Sequence, residues 1–415
     1  MEEVRVLEAD RRPSYLKILE NKEGLKIWTS IVISIVVMFI HRQYMSVMSG
    51  FMMEKYDIDI SQTTNLVNAM LYGYACMQIP NGILVDKVGV RKLMVGGWAM
   101  TAVCSIVMTM TASYPVALAM RFLTGVGVAA SVTSAMKVQA LWFETRLFSQ
   151  LSAMMALISN MGNIVSTVPL SYVVTRFGGQ TALWGITVLT VFCVLLNFVL
   201  VKDRRKEEGP RFEVGRALKE VLFNRASWPP MIIILTFISV TTSLSGFWGI
   251  QYISTTYRID TLEASKYMFF LTVGLMLGSP LVSVMDTVNK GDNRKNVELF
   301  TLVFFLEWLY IVVVRQGRPS LYELPVLLVI MGIAVMFHLL LFTVGKEVNK
   351  LENSGIAISS VNTMEFVGSS FMNSFIGFLV LRGVGIERAI GVYLVSSAIC
   401  FVTVFFIPKN QGRRE

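Results

Sequence analysis

The chain reads as an all-α integral membrane protein of twelve transmembrane helices in two pseudo-symmetric halves of six. Three observations predict this. Of 415 residues, 54% are hydrophobic and only 16% charged, more apolar side chains than a water-soluble core can bury. They gather into twelve segments near the roughly 20 residues that a helix needs to cross the hydrocarbon layer. A strongly basic connector, residues 202–227, then separates six segments from six, as an internal repeat would. The basic residues also set the orientation. With both termini cytoplasmic, 26 of the 37 Lys and Arg fall in termini or inner loops, 8 in outer loops, and 3 (Arg42, Arg121 and Lys137) inside spans. This is the positive-inside pattern of a multi-pass protein of the cell membrane. It assigns the net charge of +9 to the lipid bilayer as partner, and not to nucleic acid.

Residues 1–25 form a polar tail with no apolar core ahead of a cleavage site, so no removable signal peptide is expected and the first span acts as the insertion signal. Span 1 covers about 26–53, long enough to require tilt, and carries His41-Arg42-Gln43-Tyr44 near its middle. Spans 2 to 6 follow at about 61–85, 92–112, 115–141, 148–174 and 180–201 and complete an N-terminal unit, 26–201. Within the connector, 212–223 is amphipathic enough to lie on the inner leaflet. Spans 7 to 12, at about 228–252, 263–286, 296–315, 322–346, 355–381 and 386–407, make the C-terminal unit 228–407, and 408–415 is a cytoplasmic tail. Cys76, Cys104, Cys193 and Cys400 are scattered singly through spans, without the spacing of a disulfide framework or a metal site. Phosphate loops, nucleophile elbows and paired metal ligands are absent. Neither an enzyme nor a cofactor is expected, and the protein is expected to be a monomer.

The stretch from Pro80 to Lys92 organises the N-terminal half. An apolar run ends on Asp86, a basic turn follows with Lys87, Arg91 and Lys92, and the next apolar run begins at Leu93. Gly82 allows close helix approach, while Asp86 at a helix end calls for a partner such as an Arg or a helix N-terminus. Gly82-x-x-x-Asp86-x-x-Gly89-x-Arg91-Lys92 resembles the loop between helices 2 and 3 of the major facilitator superfamily of secondary transporters. Arg121-Phe122-Leu123-Thr124-Gly125-Val126-Gly127 resembles that family's helix 4 pattern, Arg-x-x-x-Gly-x-Gly. A degenerate second copy of the loop follows in the other half, with Pro280, Asp286, Arg294 and Lys295 echoing Pro80, Asp86, Arg91 and Lys92, and Val282 in place of Gly82. The resemblance implies a conformational gate made by Gly82, Asp86, Gly89, Arg91 and Arg121, with Arg121 read alternatively as a neighbour of the proton path. It also implies that Asp86 meets the N-terminus of span 11, near Asn353 and Ser354, when the site faces outward.

Ionisable groups inside spans are functional candidates, because even the gentler insertion scales charge about 2.5 to 3.5 kcal/mol for Arg, Lys or Asp at a helix centre. Arg42 lies near mid-membrane and is read either as a fork for an anionic substrate or as the structural partner of a buried acid such as Glu365. Glu365 stands on a polar stripe with Asn362, Ser369 and Asn373. A carboxyl at that depth holds its proton unless a cation lies close; it is read as the proton carrier or as a neutral hydrogen-bonding acid. His338 is the other proton-carrying candidate, with packing as its alternative. Lys137 either borders the inner cavity or snorkels, and Glu307 belongs to a span that the family fold places at the periphery. Tyr44, Tyr72, Asn163, Trp248, Gln251 and Asn362 complete the expected substrate-binding set, with Asn65, Asn68 and Asn160 on the same polar stripes.

Arg42-Gln43-Tyr44-Met45-Ser46 resembles the first helix of the organophosphate and organic-anion branches of the superfamily. Span 7 lacks the second Arg of the organophosphate exchangers, and span 5 lacks the Gly-Pro signature of drug exporters. The resemblance therefore implies proton-coupled uptake of a small organic anion of carboxylate type by alternating access. Uniport or anion exchange is the alternative within the fold; a transporter-like sensor or assembly factor is the alternative from another class.

Overall fold

The structure, a computed structural model, describes residues 18–144, 147–204, 214–289, 293–350 and 353–408. Among these residues every regular element is helical. Eleven helical segments are long and apolar enough to cross a membrane: Lys22–Tyr56, Val90–Met110, Tyr114–Trp142, Gln150–Phe177, Gly179–Leu200, Arg225–Tyr257, Thr261–Val282, Arg294–Val314, Leu324–Glu347, Ser354–Leu381 and Ile386–Val404. Span 2 is the twelfth and is broken into Ile60–Cys76 and Gln78–Lys87. The break at Met77 has a local cause, since Pro80 lacks the N–H that would bond Cys76 and its ring crowds that carbonyl.

Each half closes on itself through backbones that nearly touch. A Cβ on Gly125 of span 4 would sit 2.0 Å from the Met70 carbonyl oxygen of span 2, and one on Gly332 of span 10 would sit 2.4 Å from the Leu271 carbonyl oxygen of span 8. Only glycine permits such packing, which replaces the hydrophobic drive that lipid cannot give. Polar groups complete the N-terminal half: Asn197 of span 6 joins Ser30 and Ser34 of span 1 at 2.9 and 2.8 Å, and His41 meets Thr190 at 2.8 Å. In the C-terminal half stacked Phe300 and Phe337, and Trp308 against Tyr393, fill the corresponding space.

The halves meet unevenly. Span 11 packs closely along Ile60–Cys76 and only sparsely along Gln78–Lys87, and the 168–177 end of span 5 packs on span 8. The sealed face is the one that carries Tyr56 and Ile60, opposite the connector. On the connector side the halves diverge. The Asp86 carboxylate is 61% exposed, and among the described residues no atom beyond the local helix lies within 4 Å of where a Cβ would stand on Gly82 or on Gly355. The expectation that Gly82 serves a close helix contact is therefore corrected for this state, because it faces open space. The connector contributes one amphipathic helix, Val214–Phe223, which docks on the loop before span 11. Glu220 accepts from Lys350 Nζ and Asn353 Nδ2, both at 3.0 Å, and Asn224 donates to the Val348 carbonyl at 2.7 Å. Asn353 thus does not cap span 11 with its side chain. The second copy of the loop is partly visible: Arg294 bonds Glu298 and the Ile407 carbonyl, while the Asp286 side chain lies outside the described residues.

Candidate functional site

Span 1 rises through the middle of the molecule and reaches the other half with two successive side chains. Arg42 donates through Nη2 to Glu365 Oε1 of span 11 at 2.9 Å, with side chains 13% and 12% exposed. Its guanidinium lies over the rings of Phe39 and Phe366, 5.4 and 5.3 Å from their centroids. Glu365 also accepts from Thr242 Oγ1 of span 7 at 3.1 Å. Two hydroxyls hold the backbone beneath it, Ser239 and Ser369 donating to the Glu365 carbonyl at 2.9 and 2.7 Å. The cation therefore comes from one half and the acid from the other, with two aromatic rings packed against the guanidinium. Of the two readings of Arg42, the geometry shows the structural one: it is the partner of Glu365.

Amides surround the pair. Gln43 donates to Asn163 Oδ1 of span 5 at 3.1 Å and to Ser245 Oγ of span 7 at 3.3 Å, and Asn163 donates to Asn160 at 2.9 Å. On the connector side of Glu365, Asn362 donates to Gln78 Oε1 at 3.0 Å. Toward the sealed face, Asn68 bonds the Ser370 carbonyl and Ser374 Oγ while receiving Asn373 Nδ2 at 3.0 Å. Gln251 donates to the Ser46 carbonyl and to Ser49 Oγ at 3.1 and 2.6 Å. These bonds surround the Arg42–Glu365 pair, and those of Asn362, Asn68 and Gln251 join the two halves.

The expected substrate set divides accordingly. Arg42, Gln251 and Asn362 carry bonds across the seam between the halves, and Asn163 bonds Gln43 and Asn160 within its own half. Trp248 lies deeper, fully buried, with Nε1 on the Asn373 carbonyl at 3.2 Å. Tyr44 turns inward within its own half, its hydroxyl on Met108 Sδ at 3.4 Å, so it is withdrawn from the binding set. Tyr72 is withdrawn as well. It is 46% exposed, on the helix face shared with Asn65 and Cys76, whereas Asn68 takes the face toward span 11. Lys137 pairs with Asp86, so the loop acid finds a cation of its own half while the halves are apart on this side. Gly89 adopts φ 90° to start span 3, and Arg91 donates to Asp203 Oδ1 and the Phe198 carbonyl. Arg91 thereby binds span 3 to the end of span 6 and does not reach the other half.

Arg121 also departs from expectation. It is 1% exposed and donates to the carbonyls of Leu66 and His41, both at 3.0 Å, under the ring of Tyr44. It braces spans 1, 2 and 4 from inside one half and is not part of the interface between halves. His338 is buried, its Nδ1 2.6 Å from the Val335 carbonyl and its ring edge-on to Phe342. Glu307 is buried in span 9. Thr242, Ser245, Gln78 and Gln43 are among the seam residues that the sequence did not single out. Gln78 carried a signal, being an amide inside a largely apolar stretch; Gln43 is overshadowed by Arg42 beside it, and the hydroxyls of span 7 carried none, because such residues recur throughout the chain.

Known proteins agree with this architecture. The family model of the Major Facilitator Superfamily matches residues 27–371. The uncharacterized transporter YybO of Bacillus subtilis (strain 168) is 21% identical over 257 residues, which cover 56% of this chain and 58% of that protein; the match thus spans little more than half of that relative. Among solved structures, a D-xylose-proton symporter superposes with a TM-score of 0.71 at 12% identity, over 94% of this chain and 99% of its own. A variant of the E. coli fucose:proton symporter does so with a TM-score of 0.63 at 13% identity, over 91% and 98%. At such identities the likeness is one of fold.

Proposed function

The chain belongs to the major facilitator superfamily, and from that premise we propose that it is a secondary transporter of the cell membrane that couples protons to the uptake of a small organic anion. The observation that carries this reading is the 2.9 Å pair between Arg42 and Glu365, which joins the two halves at mid-membrane. In the empty carrier the pair is neutral. A carboxylate entering the cleft competes with Glu365 for the same guanidinium and gains it when a proton neutralises Glu365. The loaded site, with Arg42 charged, Glu365 protonated and the substrate anionic, is again neutral.

The two mixed states are not neutral. A proton without substrate leaves an unpaired cation, and a substrate without a proton leaves two carboxylates on one Arg. Either places an uncompensated charge between low-dielectric walls, which costs several kcal/mol by order of magnitude. Halves that rock together only around a neutral site move substrate and proton as a unit. With the positive-inside orientation, the connector side is cytoplasmic and this structure is the inward-facing state. Lys137, Asn163, Gln251 and Asn362 are assigned to the path and walls of the cleft, and His338 to a supporting place behind Glu365.

A neutral sugar is the second reading, favoured by the amides around the cleft and by the two sugar–proton symporters that share the fold. Proteoliposomes separate the two. Under the anion reading, wild type accumulates a carboxylate when the outside is acidified, accumulation of a monovalent anion is insensitive to a clamped membrane potential, and Arg42→Gln abolishes it. Sugar uptake that survives Arg42→Gln would establish the second reading instead.

A further inference from the structure

The amide of Gln43 has a fixed polarity. Asn160 Nδ2 donates to the backbone carbonyl of Ala156 at 2.9 Å, and a carbonyl only accepts. Asn160 must therefore offer its oxygen to Asn163, whose Nδ2 lies 2.9 Å from it. Asn163 in turn offers its oxygen to Gln43, which has to present Nε2, at 3.1 Å. The ladder runs in one direction from a backbone anchor, so no flip of a single amide is allowed. It leaves Gln43 Oε1 with no hydrogen-bond partner, although Gln43 is only 8% exposed.

That oxygen faces the one residue of span 7 at this level that has no side chain, Gly246. A Cβ added to Gly246 of span 7 would have Gln43 Oε1 as its nearest neighbour, at 3.9 Å. Gly246 lies inside a single π turn, Leu244–Trp248, a departure from α-helix that widens the local backbone. Gln43 follows Arg42, and both side chains reach the other half on one stretch of span 7: Glu365, the partner of Arg42, accepts from Thr242, and Gln43 donates to Ser245 three residues on. Positions three apart on a helix are neighbours, about 5–6 Å between Cβ atoms, a span that one small ligand can bridge.

We propose that Gln43 Oε1 reads a hydroxyl on the anion that Arg42 holds, so that the site selects hydroxy-substituted carboxylates over their deoxy analogues. The partner must be a donor, because an orphaned carbonyl oxygen can only accept. It is a neutral donor, because an ammonium beside Arg42 would add a second cation to a site kept neutral. A buried acceptor left unpaired penalises the analogue that lacks the group. This inference rests on the anion reading above, and the test keeps the two apart.

Binding to the purified full-length protein is measured by calorimetry with three matched pairs: lactate against propionate, malate against succinate, and gluconate against 2-deoxygluconate. Wild type is expected to favour the hydroxylated member of its tightest pair by about tenfold or more, and Gln43→Met to bring that ratio within about twofold. Should Gln43→Met not fold, Gly246→Ala carries the same test, since it sets a methyl against Gln43 Oε1 without touching the amide ladder and is expected to weaken the hydroxylated member selectively. Equal affinities within every wild-type pair, an unchanged ratio in both variants, or no binding of any hydroxylated member would overturn the proposal. If Arg42→Gln leaves affinity intact while Gln43→Met erases the hydroxyl preference, the anion reading fails and the role of Gln43 stands; the reverse pattern removes the role of Gln43 and keeps the anion.

Discussion

Arg42 and Arg121 are both arginines inside the membrane on the same half, and their surroundings differ in kind. Arg121 is held by two backbone carbonyls of its own half, which neither titrate nor leave. Arg42 is held by a carboxylate of the opposite half, which can take a proton and can move away with its helix. A cation anchored on carbonyls is a fixed part of a rigid body. A cation anchored on an acid across the seam is available for exchange, and only the second can couple binding to motion.

The comparison breaks most visibly at Arg121. Arg121→Leu removes two charged hydrogen bonds to buried carbonyls that keep their intrahelical bonds, at about 1.5–3 kcal/mol each, so the expected outcome is a loss of roughly 3 to 6 kcal/mol in detergent stability, read as a large fall in thermal-shift midpoint, with ligand affinity preserved in the folded fraction. Arg42→Gln should differ in what it does to the ligand. Loss of a charged hydrogen bond, about 1.5–3 kcal/mol, weakens carboxylate binding roughly 10- to 150-fold in the folded fraction, beside a stability loss of about 3–5 kcal/mol from the unpaired acid. If the two variants behaved alike, the distinction drawn from their partners would be wrong.

Glu365→Gln sharpens the same contrast without removing the cation. The amide mimics the protonated acid, so counterflow exchange in proteoliposomes is expected to persist while pH-driven accumulation disappears. Persistent accumulation would move the proton to His338, with His338→Gln as the next measurement.

How far these roles were legible in the sequence follows from the range of the interactions. The spans, the connector and the loop at Asp86 were readable because hydropathy and charge act locally along the chain. Arg42 and Glu365 were each flagged as intramembrane charges, yet their pairing joins residues 323 positions apart, and nothing local distinguishes a partner from a competitor. Tyr72 was misassigned for a related reason. Helical spacing put it on a stripe with Asn65 and Asn68, but only packing against spans 1, 4 and 11 decides which edge of a stripe is covered. Gln43 was hidden by its neighbour, since a charge draws attention that an amide does not.

Smaller effects belong to the divergent side. Asp86 now pairs with Lys137, an exposed contact worth about 0–1 kcal/mol, whereas a partly buried helix N-terminus offers up to about 2 kcal/mol. Asp86→Asn is therefore expected to shift the population toward the connector-open state by up to about thirtyfold. Labelling of single cysteines on the two faces, in a background cleared of exposed Cys76, would read the shift; an unchanged ratio would leave the loop a topology anchor only.

The smallest effect is expected at Glu220, whose carboxyl is held below the usual carboxylate range by Lys350, then by Asn353. A depressed folded-state pKa means that the contact contributes above the ordinary carboxylate pKa and is lost as pH falls through the lowered value. Hydrogen exchange over 214–224 should thus stay slow at neutral pH and quicken only in acid, and Glu220→Gln should show the quick exchange throughout.

The glycine contacts within each half bear on how the protein is made. Gly125 and Met70 belong to the first four spans, so their joint can form once those spans have left the ribosome, before any C-terminal span exists. The joint of Gly332 with Leu271 likewise needs only residues of the second half. Each six-helix body can thus set its shape during synthesis, without a template from the other, and the bond between Arg42 and Glu365 is among the last that the nascent chain can make.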